Sequence, residues 1–299
     1  MSRPRPAHCA VIILATLFAS SCGAPRPRSD AATRDVLLPF LAARDRFIAD
    51  VSRREGYEMP AAYQRVLRAV HDGDLAACSN AVAAATGQND KPDKGAAPLQ
   101  RELWQYVLEM YGAFEQFRIW TPDLLTLYAH DMADCITSNA IYFGGTDPGR
   151  FVLTAFREVE KRPFFVVTQN ALADSSYIAY LRQLHGESIW IPSADDSNRA
   201  FQQYVQDIQA GRIPAGAEVS IENGRVSVRG VQGVMAINGL LARLIFDRNK
   251  AQHDFYVEES YVIPWMYPHL EPQGLLMKLN PEPLEALDPA VVRADRDYW

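Results

Sequence analysis

The chain has 299 residues, 30 Lys and Arg against 36 Asp and Glu, a formal charge of −6 and 48% apolar residues. An acidic balance of this kind excludes nucleic acid as an expected partner, because phosphate binding needs clustered Lys and Arg. The length is ample for a buried core in one large or two modest domains, and we expect two.

In chain order, Arg3 and Arg5 precede the apolar run 10–18, and Ala19, Ser20 and Ser21 precede Cys22. A charged stretch, an apolar stretch and small residues form the order of an export signal. The apolar run is shorter than the roughly 20 residues that a spanning helix requires, and no later segment reaches that length. Small residues followed by Cys resemble the lipobox of bacterial lipoproteins, with Ala19 where Leu is usual. That resemblance implies cleavage after residue 21 and a lipid on Cys22. Gly23 in place of Asp implies sorting to the outer membrane, facing the periplasm. Loss of the leader removes Arg3 and Arg5 and takes the charge from −6 to −8.

Residues 22–32 are Pro-, Arg-, Ser- and Ala-rich and read as a tether. Residues 33–135 read as a helical region. Val36, Leu37, Phe40, Leu41, Phe47, Ile48 and Val51 recur at helical spacing. Helices over 61–71 and 75–86 flank His71-Asp72-Gly73-Asp74, where Gly73 stops one helix and Asp74 caps the next. Residues 87–98 form a polar linker. A helix over 99–117 shows Trp104, Val107, Leu108, Tyr111 and Phe114 on one face, and Thr121-Pro122 starts another that runs to about residue 136. Export permits a Cys78–Cys135 disulfide, and two separate buried thiols are equally compatible with the sequence.

Residues 136–299 change pattern. Short apolar runs at 140–143, 164–167, 188–191 and 255–257 are each followed by polar loops, and the first three by helical stretches. Strands alternating with helices predict an α/β, Rossmann-like three-layer domain with a mostly parallel sheet. Residues 219–228 alternate around Asn223-Gly224 as a hairpin, and 275–279 reads as a last strand at an edge.

Ligands of open parallel sheets sit at the carboxyl ends of the strands. Those ends supply Gly144, Gly145, Thr146, Asp147 and Arg150 from the first, Gln169, Asn170 and Asp174 from the second, and Glu258 and Glu259 from the fourth. Two glycines allow a tight turn, Thr146 or Asp147 would cap the next helix, and Pro148 would start it. Free amides there suit an anionic or hydroxyl-rich group, with Arg150 as counter-charge. Asp147, Glu258 and Glu259 are the candidate acid/base carboxylates of an enzyme acting on a glycan or similar polar substrate. A cap, a solvated face or a strand-end charge is the duller use of each. No dinucleotide or phosphate-loop fingerprint, nucleophile elbow or metal-ligand spacing is present, so no cofactor or metal is expected. Trp265, Tyr267, Pro268 and His269 form an aromatic loop that lines a pocket or packs as a lid.

The loop at 141–147 (IYFGGTD) and the ending at 265–281 (WMYPHLEPQGLLMKLNP) together resemble a known soluble domain. It follows the membrane segments in a bacterial family related to the plexin-directed protein O-mannosyltransferase. The loop keeps Gly145 and Asp147, the ending keeps Leu270, Glu271, Gly274 and Leu275 in looser spacing, and the likeness covers residues 136–283. Those transferases carry their catalytic acid in the membrane part, which this chain lacks. The resemblance therefore implies a related domain without transferase machinery, in a periplasmic or cell-surface role connected with glycan handling. The expected function is a membrane-anchored binding or accessory lipoprotein with a glycan or protein partner. An assembly factor using the helical region is the remaining reading, and it requires an exposed apolar patch within residues 33–117.

Overall fold

The computed structural model describes residues 33–54, 56, 58–86, 98–212, 218–222, 225–229 and 231–299. Cys22, the tether and the 87–97 linker lie outside the described residues. A π-helical turn, Thr33–Leu37, leads into α1, Leu38–Arg54, and then come α2, Ala61–Asp72, α3, Leu75–Thr86, α4, Pro98–Ile119, and α5, Pro122–Asp134. Strand β1, Ile141–Gly144, passes through a second π-helical turn, Pro148–Val152, into α6, Leu153–Val159. The chain continues through β2, Phe165–Thr168, α7, Ser175–His185, α8, Ala194–Gln209, β3, Glu218–Glu222, β4, Arg225–Arg229, and α9, Val231–Asn249. It ends with β5, Phe255–Glu258, β6, Leu270–Gln273, β7, Leu276–Leu279, and α10, Pro289–Tyr298.

The helix signals act largely as expected. Gly73 closes α2 in the left-handed region at φ 71°, where its N–H reaches the Ala69 and Val70 carbonyls. Asp74 Oδ1 accepts from the Ala77 N–H at 2.9 Å and opens α3. Pro122 sits in the first turn of α5, but the Thr121 side chain makes no capping bond. Helix α4 buries Leu103, Tyr106, Val107, Met110, Ala113, Phe114 and Phe117, more of its circumference than one stripe. It does so because α1, α2, α7 and the Pro148–Val152 turn all pack on it.

The mostly parallel, three-layer arrangement is not what forms. The sheet is small and mixed, in the order β2-β1-β5-β7-β6, with β1 parallel to β2 and β5, and with β7 antiparallel to β5 and β6. The cause is local. Gly274, at φ 61°, and Leu275 join β6 to β7 in a hairpin with Gln273 opposite Leu276, and a two-residue connection can only return the chain antiparallel. Strand β7 is thus interior rather than an edge, and the edges are β2 and β6, the latter within the aromatic-rich ending.

The expected strand at 188–191 is also missing, although Ile189 and Ile191 are buried. The Asn249 side chain takes the role of a neighbouring strand. Its Oδ1 accepts from the Trp190 N–H at 2.8 Å, and its Nδ2 donates to the Trp190 carbonyl at 3.0 Å. The two strands expected at 219–228 do form, as β3 and β4 paired from Glu218–Arg229 to Glu222–Arg225, with Asn223-Gly224 outside the described residues.

Alternation across the sheet buries both faces. Ile141, Phe143, Val167, Phe255 and Val257 join a large core that also holds Phe40, Tyr106, Tyr180 and Phe246. Tyr142, Val166, Tyr256 and Leu276 join a smaller one with Met132 and Leu153. The helices before residue 135 therefore share one continuous core with the sheet. Cys78 and Cys135 are both free, and burial pushes the Cys78 thiol up to about 11. Among the described residues no helix is long and apolar enough to cross a membrane.

Candidate functional site

The parallel pairs bring three carboxyl ends to one edge. Gly144 pairs with Thr168, and Phe143 with Val257, which sets Gly144 beside Glu258. Glu258 is buried there, and its carboxylate accepts three hydrogen bonds. Oε2 takes the Gly145 and Thr146 N–H groups, each at 2.9 Å, and Oε1 takes the Thr146 hydroxyl. Thr146 Oγ1 in turn accepts from the Gly149 N–H at 3.0 Å, so Thr146, and not Asp147, caps the following helix. The amides that the sequence offers to an external anion are already held by the chain's own carboxylate.

The glycines are explained by close approach. A Cβ on Gly145 would lie 2.1 Å from the Tyr261 ring, and one on Gly149 would lie 2.5 Å from Glu258 Oε2 and 2.8 Å from the Tyr142 hydroxyl. Asn170 Nδ2 donates to the Gly145 carbonyl at 3.0 Å, and the Asn170 carbonyl accepts from Asn238 Nδ2 at 2.8 Å. Gln169 Nε2 donates to the Tyr261 carbonyl. Gly144, Gly145, Thr146, Gln169, Asn170 and Glu258 thus converge as one network. Asp147 and Glu259 are exposed at its rim, so the three candidate carboxylates do not share an environment.

Arg150 and Asp174 belong elsewhere. Arg150 is buried, stacked over the Phe151 and Tyr177 rings at 4.8 and 5.1 Å, and its Nη2 donates to Gln105 Oε1 at 3.3 Å. Asp174 caps α7 by accepting from the Ser176 N–H at 2.8 Å, and it also accepts from Gln105 Nε2 at 3.2 Å. Arg150 is therefore a brace to α4 rather than a counter-charge in the loop. In the third loop Ser193 and Asp196 form a reciprocal capping box, whose hydroxyl and backbone N–H pull the Asp196 carboxyl down to about 2. The aromatic segment packs mainly as a lid: Trp265 lies 5.3 Å from the Phe246 ring, and His269 Nδ1 is 2.8 Å from the Asn280 carbonyl. Tyr267 is exposed.

Sequence reasoning missed three tyrosines around Glu258. Burial first, and the Glu258 charge second, push the phenols of Tyr128, Tyr142 and Tyr261 above their ordinary value, with Asp147 adding to the effect at Tyr261. Tyr142 was legible only as part of an apolar run. Also missed was a buried charged group between α1, α4 and α6. Arg44 Nη2 lies 2.8 Å from Glu109 Oε2 and 2.9 Å from Glu158 Oε2. The available signal was spacing, since Arg44 falls on the same helical stripe as Phe40, Leu41, Ile48 and Val51.

His185, beside this group, makes a pH prediction. Burial, then the Arg157 and Arg44 charges, hold its imidazole down at about 3 from an ordinary 6.5. The unfolded chain then binds a proton before the folded one does, so this stabilisation is complete above pH 6.5 and is lost as pH falls from there toward 3. Urea midpoints of the native chain should fall between pH 7 and 5, and His185→Gln should flatten that slope. An unchanged slope in the variant would assign the pH dependence to other groups.

Among the described residues no group of three or more His, Cys, Asp or Glu is placed to hold a metal ion. Comparison with known protein families, with curated proteins and with solved structures found no match.

Proposed function

We propose that this chain is an exported protein, anchored by a lipid on Cys22, that binds a glycan at the rim of its strand-end network. The observation that carries the reading is the division of labour among polar groups at that edge. Glu258 fixes the loop from inside, while Asp147, Glu259 and Ser260 are exposed and Asn170 and Tyr261 are half-buried at the same edge. A carboxylate acceptor, a side-chain amide and a phenol ring are the groups that recognise a hydroxyl-rich ligand. The leader order before Cys22 and the resemblance to a domain of glycan-handling proteins support the same reading. Glu258 serves as the internal clamp that sets the loop's shape. The assembly reading has little behind it, since within residues 33–117 Leu38 is the one exposed large apolar side chain among those described.

Asp147 gives the cleanest test because it is exposed and caps nothing. Asp147→Ala should leave stability within about 0.5 kcal/mol of the parent. On a glycan array, with the affinity of the best hit then measured by calorimetry, the same variant should bind at least about tenfold more weakly, the loss of one charge-assisted hydrogen bond. Absence of any glycan bound by the parent, or equal affinity in the variant, would overturn the assignment.

A further inference from the structure

We propose that the interior between α1, α4, α6, α7 and β2 contains a binding site for one ordered water molecule, which ties the first helix to the sheet. A small, partly open cavity of about 10 Å³ lies there, with Arg44, Glu109, Arg157, Thr168, Tyr180 and His185 in its wall. That is the size of a single water and of nothing larger.

Three of these wall residues carry a buried polar atom without a hydrogen-bond partner in the protein: Arg44 Nε, Thr168 Oγ1 and Tyr180 Oη. They come from three different elements, α1, β2 and α7. A buried polar atom left without a partner is costly, and three around one small polar cavity are satisfied together by a molecule that both donates and accepts. The Arg44 N–H can only donate, whereas each hydroxyl donates or accepts, so the donor and acceptor needs of all three match those of one water.

The charges identify the occupant as neutral. Arg44 and Arg157 are balanced by Glu109 and by Glu158, which pairs with Arg44 at 2.9 Å. His185 is held uncharged by its burial and by the two guanidinium groups. A monatomic ion would unbalance this group, and an organic ligand would not fit.

A high-resolution crystal structure of the protein tests the site directly. The expected result is a solvent peak of water weight within about 2.7–3.2 Å of Thr168 Oγ1 and Tyr180 Oη. A clear map without that peak, or with a peak of ionic weight, overturns the proposal. Thr168→Val supplies an independent readout, because its sign differs between the two cases. If the hydroxyl holds a water, the near-isosteric valine removes one of its partners and Tm falls by a few degrees. If the hydroxyl is merely unpartnered, valine removes a burial penalty and Tm stays or rises, which also overturns the proposal.

Discussion

Arg44→Met is expected to lower the unfolding free energy by about 3–5 kcal/mol, the usual cost of removing one partner from a buried ion pair. The side chain is 5% exposed, so solvent screening offers little relief. Its Nη2 serves two carboxylates, Glu109 at 2.8 Å and Glu158 at 2.9 Å, and its guanidinium lies 5.0 Å from the centre of the Phe40 ring. Burial already pushes the Glu158 carboxyl above its ordinary range, and Arg44 is the largest influence that pulls it back. Methionine keeps most of the volume and strands both acids. Neutralising them in the same chain, with Glu109→Gln and Glu158→Gln, should therefore recover part of the loss. Urea unfolding with an unchanged m-value measures both effects. A loss under about 1 kcal/mol for Arg44→Met would mean that the pair is solvated in solution.

Glu258→Ala should cost about 2–4 kcal/mol, because the Gly145 and Thr146 N–H groups and the Thr146 hydroxyl all lose their acceptor at once. Gly145 is buried and cannot turn to water. Glu258→Gln keeps one acceptor oxygen and should lose about half as much. The informative readout is local: amide hydrogen exchange at Gly145 and Thr146 should accelerate in the alanine variant well beyond what the global loss explains. Exchange that rises only in step with global stability would remove Glu258 as the clamp of this loop.

Parts of this arrangement were legible because they follow from short-range chemistry. The runs at 140–143, 164–167 and 255–257 are apolar on both faces and became β1, β2 and β5 within a residue at each end. Their shared direction placed Gly144, Gln169 and Glu258 at one edge, where Glu258 holds the Gly145 and Thr146 N–H groups and Gln169 reaches the Tyr261 carbonyl. What failed were features decided outside the apolar runs themselves. The direction of β7 depends on the Gly274-Leu275 turn, and the 188–191 run lost its strand to Asn249, whose amide meets Trp190 from 59 positions away.

Side-chain roles were harder still. Arg150 looked like a loop counter-charge, but the buried turn that follows β1 carries it toward Gln105 on α4. Cys78 and Cys135, compatible with a bridge by composition, are free thiols, the first buried between α2 and α3 with its Sγ 3.7 Å from the Val66 carbonyl. The Arg44 group was hidden because a charged residue on an apolar stripe reads as an interruption until its partners are known. Both acids lie 65 or more positions away in the chain.

Export and a lipid on Cys22 set where this protein works, and a single experiment tests them. The full chain and its Cys22→Ser variant are expressed in a Gram-negative host with labelled palmitate, and the membrane and soluble fractions are compared. The expected result is label and membrane association in the parent, with both lost in Cys22→Ser. Persistence of label and membrane association in the variant, or an unlabelled parent in the cytoplasmic fraction, would contradict a lipid-anchored binding protein.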